Sequence, residues 1–181
     1  NLSTLDGTNG FRLDGELASD YSGYSVSSAG DINGDGYDDL IIGAYAADPN
    51  GSSSGSSYVV FGSGSNMAAT VNLSTLDGTN GFRLDGEAAL DYSGRSVSSA
   101  GDINGDGYDD LIIGAYLADP NGSMSGSSYV VFGSGSNMAA TVNLSTLDGT
   151  NGFRLDGELA SDYSGYSVSS AGDINGDGYD D

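Results

Sequence analysis

No histidine, cysteine or lysine occurs in the 181 residues, and proline occurs only twice. Without His, Cys or Lys, the Ser-His, Cys-His and Ser-Lys nucleophile pairs cannot be assembled, so the serines have no partner base. The same absences remove the nitrogen and sulfur ligands that zinc prefers, and they exclude disulfide staples. Positive charge is nearly missing too: four arginines (Arg12, Arg83, Arg95, Arg154) face 26 acids, for a formal charge of −22. Such a surface repels phosphate backbones and anionic lipid, so no nucleic-acid partner is expected. No apolar run approaches the roughly 18 residues that span a bilayer, so no membrane insertion is expected. A hydrophobic content of 37% with regular patterning still separates the chain from disordered acidic tails.

What is present is repetition. Asn1-Leu2-Ser3-Thr4-Leu5-Asp6-Gly7 returns at Asn72 and at Asn143, a period of 71 residues. Residues 1–71 and 72–142 differ at five positions: Leu17/Ala88, Ser19/Leu90, Tyr24/Arg95, Ala46/Leu117 and Ser53/Met124. Residues 143–181 repeat 1–39 without change. Units this similar make the same fold and pack on copies of themselves.

The most informative stretch is Asp31-Ile32-Asn33-Gly34-Asp35-Gly36-Tyr37-Asp38-Asp39, which recurs at Asp102–Asp110 and Asp173–Asp181. Oxygen side chains fall at positions 1, 3, 5 and 9, and glycine at position 6 allows a sharp turn, a spacing suited to wrapping a hard cation. The expected ligands are Asp31, Asn33, Asp35, the carbonyl of Tyr37, and Asp39. In the second copy they are Asp102, Asn104, Asp106, Tyr108 and Asp110; in the third, Asp173, Asn175, Asp177, Tyr179 and Asp181. Asp, Asn and Gly also make ordinary hairpin turns, but a turn does not require like charges at alternating positions. An all-oxygen protein cage favours calcium over magnesium, with one ion per loop. Three such ions would bring the net charge to about −16.

Flanking residues exclude an EF-hand. Position 12 is Ile42 rather than a bidentate Glu, and Leu40-Ile41-Ile42-Gly43-Ala44 reads as a buried strand. Ser25–Ala29 is expected as the strand before the loop, Ser57–Phe61 as a third, and Phe11–Asp14 as a fourth with Phe11 and Leu13 inward. The segment from Asn66 to Asn80 leaves room for one helical turn around Met67-Ala68-Ala69. Asn1, Asn50, Asn72, Asn121 and Asn143 each begin an Asn-x-Ser triplet, an acceptor for glycans in a secretory setting. Exposed positions that differ between units, such as Tyr24/Arg95 and Ser53/Met124, are candidates for partner contact, with drift at tolerant loop sites the competing explanation.

Ser25-Val26, the loop Asp31–Asp39 and the following Leu40-Ile41-Ile42-Gly43-Ala44 resemble the FG-GAP repeat of integrin alpha-chain propellers and of bacterial surface proteins. Ser22-Gly23 stands where that family has Phe-Gly, and Gly43-Ala44-Tyr45 where it has Gly-Ala-Pro. The resemblance implies a seven-bladed β-propeller with calcium in the hairpin between a blade's first two strands. It also implies a non-enzymatic structural or adhesion role at the cell surface or outside the cell. The expectation is thus an all-β chain of four-stranded antiparallel blades, about two and a half of them, read as an excerpt of a longer protein. Residues 1–15 supply the last strand of a preceding blade, 16–86 and 87–157 two blades, and 158–181 the first strand and calcium loop of a third. Partners are a protein or glycan ligand, neighbouring repeats or copies of the chain itself. The alternatives are an accessory scaffold of a secreted hydrolase and the unit of a self-assembling filament or sheath.

Overall fold

A computed structural model describes residues 1–136 and 138–181, and its elements are eleven β-strands joined by loops and 3-10 turns. The strands are β1 (Arg12–Asp14), β2 (Ser25–Gly30), β3 (Asp39–Ala44), β4 (Ser56–Val60), β5 (Thr70–Asn72) and β6 (Gly81–Asp85). They continue as β7 (Ser96–Gly101), β8 (Asp110–Ala115), β9 (Ser127–Val131), β10 (Thr141–Asn143) and β11 (Gly152–Asp156). Among the described residues no helix is long and apolar enough to cross a membrane.

Two antiparallel meanders dominate: β2-β3-β4-β6, and β7-β8-β9-β11. In the first, Ile41, Val59 and Phe82 stand opposite one another on one face, and Val26, Ile42 and Tyr58 on the other. Both faces are apolar, which explains why Leu40-Ile41-Ile42 reads as a continuous run rather than an alternation. Ile41, Val59, Phe82 and Leu84 pack in one core with Val97, Leu111, Ile113, Tyr129 and Val131 of the second meander. The opposite face of the first meander, with Ile42, Tyr58 and Val60, packs on Leu73, Leu13, Met67 and Leu76.

Repetition makes the effect of a neighbour directly visible. Val26 is 66% exposed on the outer side of the first meander, whereas its counterpart Val97 is 6% exposed between the two meanders. Leu84 and Leu155 show the converse, at 0% and 49%. The burial of these two positions therefore depends on a neighbouring meander.

The segment from Met67 to Ala69 does not form the helical turn that the sequence allows. Thr70–Asn72 is extended instead, and Leu73–Thr75 makes a 3-10 turn capped by Asn72, whose side chain accepts from the Ser74 N–H at 3.0 Å. The β-branched pair Thr70-Val71 favours extension, and Asn72 caps the turn that follows it. β5 lies parallel to β1, and β10 parallel to β6, so each unit laces its three-residue strand onto the outer strand of the sheet before it.

Residues 167–172, expected as a third inner strand, form no ladder. Their counterparts β2 and β7 pair with β3 and β8; of the corresponding contacts the Asp181 N–H makes one, donating to the Gly172 carbonyl at 3.1 Å. The segment is tied to the second meander by the Val168 N–H donating to Ser96 Oγ at 3.0 Å, and the residues just before it by a bridge from Gly126 to Ser164.

Candidate metal centre

The first two acidic nonapeptides lie where an inner strand turns into the next. β2 and β7 end on a bulge, at Ser28/Gly30 and Ser99/Gly101, that releases the chain into the loop. Gly34 and Gly36 then take φ of +72° and +87°, which bend the backbone back on itself at little steric cost.

The side-chain oxygens turn inward on this frame. Asp31 Oδ1 accepts from the Asp35 N–H at 2.9 Å and Oδ2 from the Gly36 N–H at 2.9 Å. Asn33 Oδ1 also accepts from Asp35 N–H, at 2.8 Å, and Asp35 Oδ1 from Tyr37 N–H, at 2.9 Å. Position 9 closes the loop from the β3 side: Asp39 accepts from Ile32 N–H at 3.1 Å and Gly62 N–H at 2.7 Å. The second loop repeats the pattern, with Asp102 taking Asp106 and Gly107, Asn104 taking Asp106, Asp106 taking Tyr108, and Asp110 taking Ile103 and Gly133. In the third loop Asp173, Asn175 and Asp177 behave alike, but Asp181 is exposed and takes Ile174, Asn175 and the Asn175 amide.

Burial separates the loops electrostatically. Asp39 and Asp110 are 1% and 0% exposed, and loss of water pushes each carboxyl up to about 6, with repulsion from Asp35 and Asp31, or Asp106 and Asp102, adding to it. Asp173, in the open third loop, is instead held below the ordinary carboxylate range by backbone N–H groups led by Gly178. Among the described residues the ion pairs run from Arg12 to Asp14, from Arg83 to Glu16 and Asp85, and from Arg154 to Glu87 and Asp156; none reaches a loop acid.

Among the described residues, no three carboxylates meet closely enough to make a finished cation cage. The loops do bring positions 1, 3, 5 and 9 of each repeat into one hydrogen-bonded turn. The donor set fits a hard divalent ion: all oxygen, anionic, closed by a buried Asp in the first two copies, with no arginine to balance the charge.

Two of the three position-8 aspartates, given no role by the sequence, act between loops. Asp109 Oδ2 accepts from the Asp31 N–H at 2.8 Å, and Asp180 Oδ2 from the Asp102 N–H at 3.1 Å. Within the nonapeptide they look spare, because the partner lies 78 residues away.

At the other end of the inner strands runs a belt of tyrosines. Tyr45 stacks on Tyr21 at 5.5 Å between ring centres, Tyr92 lies 5.7 Å from Tyr45, and Tyr116 lies 6.1 Å from Tyr92. Arg95, the unit-specific replacement for Tyr24, lies 4.3 Å over the Tyr24 ring and 5.1 Å from that of Tyr166. Arg95 thus stitches neighbouring units. Met124, the replacement for Ser53, shares its left-handed backbone at φ of +57°.

Asp91 is a buried acid outside the loops; its carboxylate accepts from the Ala88 N–H at 3.1 Å. Burial pushes it up to about 6, and Glu87 and Asp119 add repulsion. The folded state therefore holds this proton more tightly than the unfolded chain, so stability from Asp91 falls as pH rises through the window between about 4 and 6. Asp91→Asn keeps an oxygen for Ala88 and removes the titration. In metal-free thermal melts, acidification from about pH 7 to about pH 5 is expected to raise the melting temperature less in Asp91→Asn than in the wild type. An equal rise in both would contradict the assignment.

Two four-stranded antiparallel meanders packed face to face, each with an acidic loop between its first and second strands, are blades of a β-propeller. Residues 22–60 and 93–131 match the FG-GAP repeat family, so the chain carries two FG-GAP repeats. Its relatives include integrin alpha-PS2 of Drosophila melanogaster, 32% identical over 129 residues, covering 68% of this chain and 8% of that protein. Integrin alpha-5 of Xenopus laevis is 36% identical over 110 residues, covering 58% of this chain and 9% of that protein. Integrin alpha-7 of Homo sapiens is 31% identical over 171 residues, covering 93% of this chain and 12% of that protein. The chain spans about a tenth of the length of these relatives.

Proposed function

We propose that the chain is a calcium-stapled, non-catalytic propeller segment of an adhesion or other structural protein exposed at the cell surface or outside the cell. In this reading 16–86 and 87–157 are its blade units, 1–15 ends a preceding blade and 158–181 opens a third. The observation that carries the calcium reading is the burial of Asp39 and Asp110, each closing an acidic turn that no arginine neutralises.

A bound calcium ion supplies two positive charges and takes six to eight oxygen ligands. Asp31, Asn33, Asp35, the Tyr37 carbonyl and Asp39 would hold it in the first loop, with Asp102, Asn104, Asp106, Tyr108 and Asp110 in the second. Asp173, Asn175, Asp177, Tyr179 and Asp181 would hold a weaker third, because Asp181 is exposed. The chain's own contribution is to fix position 1 at the end of an inner strand and position 9 at the start of the next. Attraction to the ion then offsets the repulsion among the loop acids, and binding free energy becomes folding free energy. A protein or glycan partner belongs to the intact protein in this reading, with neighbouring repeats covering the sheet faces.

Calorimetric titration of the chelator-treated 181-residue chain tests the proposal. Calcium is expected to bind at two or more sites with dissociation constants at or below about 1 mM, the range of extracellular modules, and magnesium more weakly. The double variant Asp39→Asn, Asp110→Asn is expected to lose both tight sites. Absent calcium heat, or equal binding of magnesium, would contradict the reading.

A further inference from the structure

The loops touch one another, and the contact falls on the backbone of a ligand. Besides the bond from Asp31 N–H to Asp109 Oδ2, the Asp109 N–H donates back to the Asp31 carbonyl at 3.3 Å, and Ser134 N–H donates to the Ile32 carbonyl at 2.9 Å. The second and third loops repeat the exchange, with Asp180 N–H donating to the Asp102 carbonyl at 3.4 Å.

Two glycines keep room for this junction. A Cβ on Gly30 would lie 2.2 Å from Asp109 Oδ2, and one on Gly34 would lie 2.3 Å from the Tyr108 ring. Gly101 and Gly105 stand in the same relation to Asp180 and Tyr179. Ile32 is buried completely in the core between the meanders, whereas Ile174, with no loop beyond it in the chain, is 76% exposed. Asp38, at position 8 of the first loop, has no loop within residues 1–30 to serve.

Asp109 sits between Tyr108 and Asp110, the position-7 and position-9 ligands of its own loop. Fixing those two around an ion fixes the backbone of Asp109, and so holds its carboxylate on the amide of Asp31. Asp31 is the position-1 ligand of the preceding loop, and its two carboxylate oxygens organise the turn there. We propose that Asp109 and Asp180 are positioning residues that couple neighbouring loops, so that an ion in one loop strengthens binding in the loop before it. The proposal rests on the calcium reading above. Coupling of this kind is reciprocal, so occupation of the first loop strengthens the second by the same factor.

The test uses the full chain titrated with calcium chloride and followed by NMR, where the amides of Gly36 and Gly107 report the two loops separately. Asp109→Ala is expected to weaken calcium in the first loop about ten-fold and to speed hydrogen exchange at the Asp31 amide before any calcium is added. Asp109→Asn, which keeps an acceptor oxygen, is expected to restore most of both, and Asp38→Ala to leave the coupling unchanged. Asp110→Asn empties the second loop while retaining Asp109, and is expected to weaken the first loop about as much, which gives a reading should Asp109→Ala not fold. If Asp109→Ala and Asp110→Asn both leave the Gly36 titration at its wild-type position, the coupling is refuted while the calcium sites stand. If the wild type takes up no calcium, the reading beneath it fails and the coupling falls with it.

Discussion

Stripping calcium with excess chelator is expected to lower the melting temperature of the chain by about 10–20 °C, with calcium but not magnesium restoring it. The magnitude follows from linkage. One ion at a hundred times its dissociation constant stabilises the folded state by about 2.7 kcal/mol. Two closed loops give about 5 kcal/mol, and a domain of this size gains about 2–4 °C per kcal/mol. The chemical reason is local: each nonapeptide holds four aspartates in nine residues, and in the first two loops position 9 is out of water. Magnesium keeps most of its waters and demands octahedral geometry, so a loop of irregular protein oxygens serves it poorly. Calorimetric melts with chelator, then with each ion added back, measure the effect. An unchanged melt would show that the acids are held by the fold alone.

The second large effect concerns the sheet faces. Leu84 and Leu155 occupy the same register position, opposite Ser57 and Ser128, in chemically identical strands. Leu84 is covered by the second meander, and Leu155 is half exposed. Leu84→Ala is expected to cost about 2–5 kcal/mol in denaturant unfolding, because it removes buried methyl groups and leaves a cavity. Leu155→Ala in the same chain is expected to cost under about 1 kcal/mol, since the side chain keeps much of its contact with water. Equal losses would mean that burial between adjacent meanders contributes little to stability.

Much of this architecture is legible from residue order. The alternation around Phe82 and Leu84, the Leu-Ile-Ile run and the 71-residue period locate the four strands of each sheet, since those signals are local. The parallel lacing of β10 onto β6 is not legible, because the pairing lies between units and Thr141-Val142-Asn143 carries no signal beyond mild extension. The same limit hid the role of Asp109: its hydrogen bond goes to a backbone amide of another unit, and nothing in the nonapeptide distinguishes it from a solvated acid. The tyrosine belt was hidden for a related reason, because Tyr45, Tyr92 and Tyr116 come together only when the inner strands stand side by side. Candidate ligands were easier to find, since their spacing along the chain already places them on one turn.

A crystal structure of the chain grown with calcium tests the calcium sites most directly. An ion is expected in the first two loops, about 2.3–2.6 Å from the side chains of Asp31, Asn33, Asp35 and Asp39 and the Tyr37 carbonyl, and from the corresponding atoms of Asp102 to Asp110. Loops holding only water, with those carboxylates still bonded to backbone N–H groups alone, would contradict it.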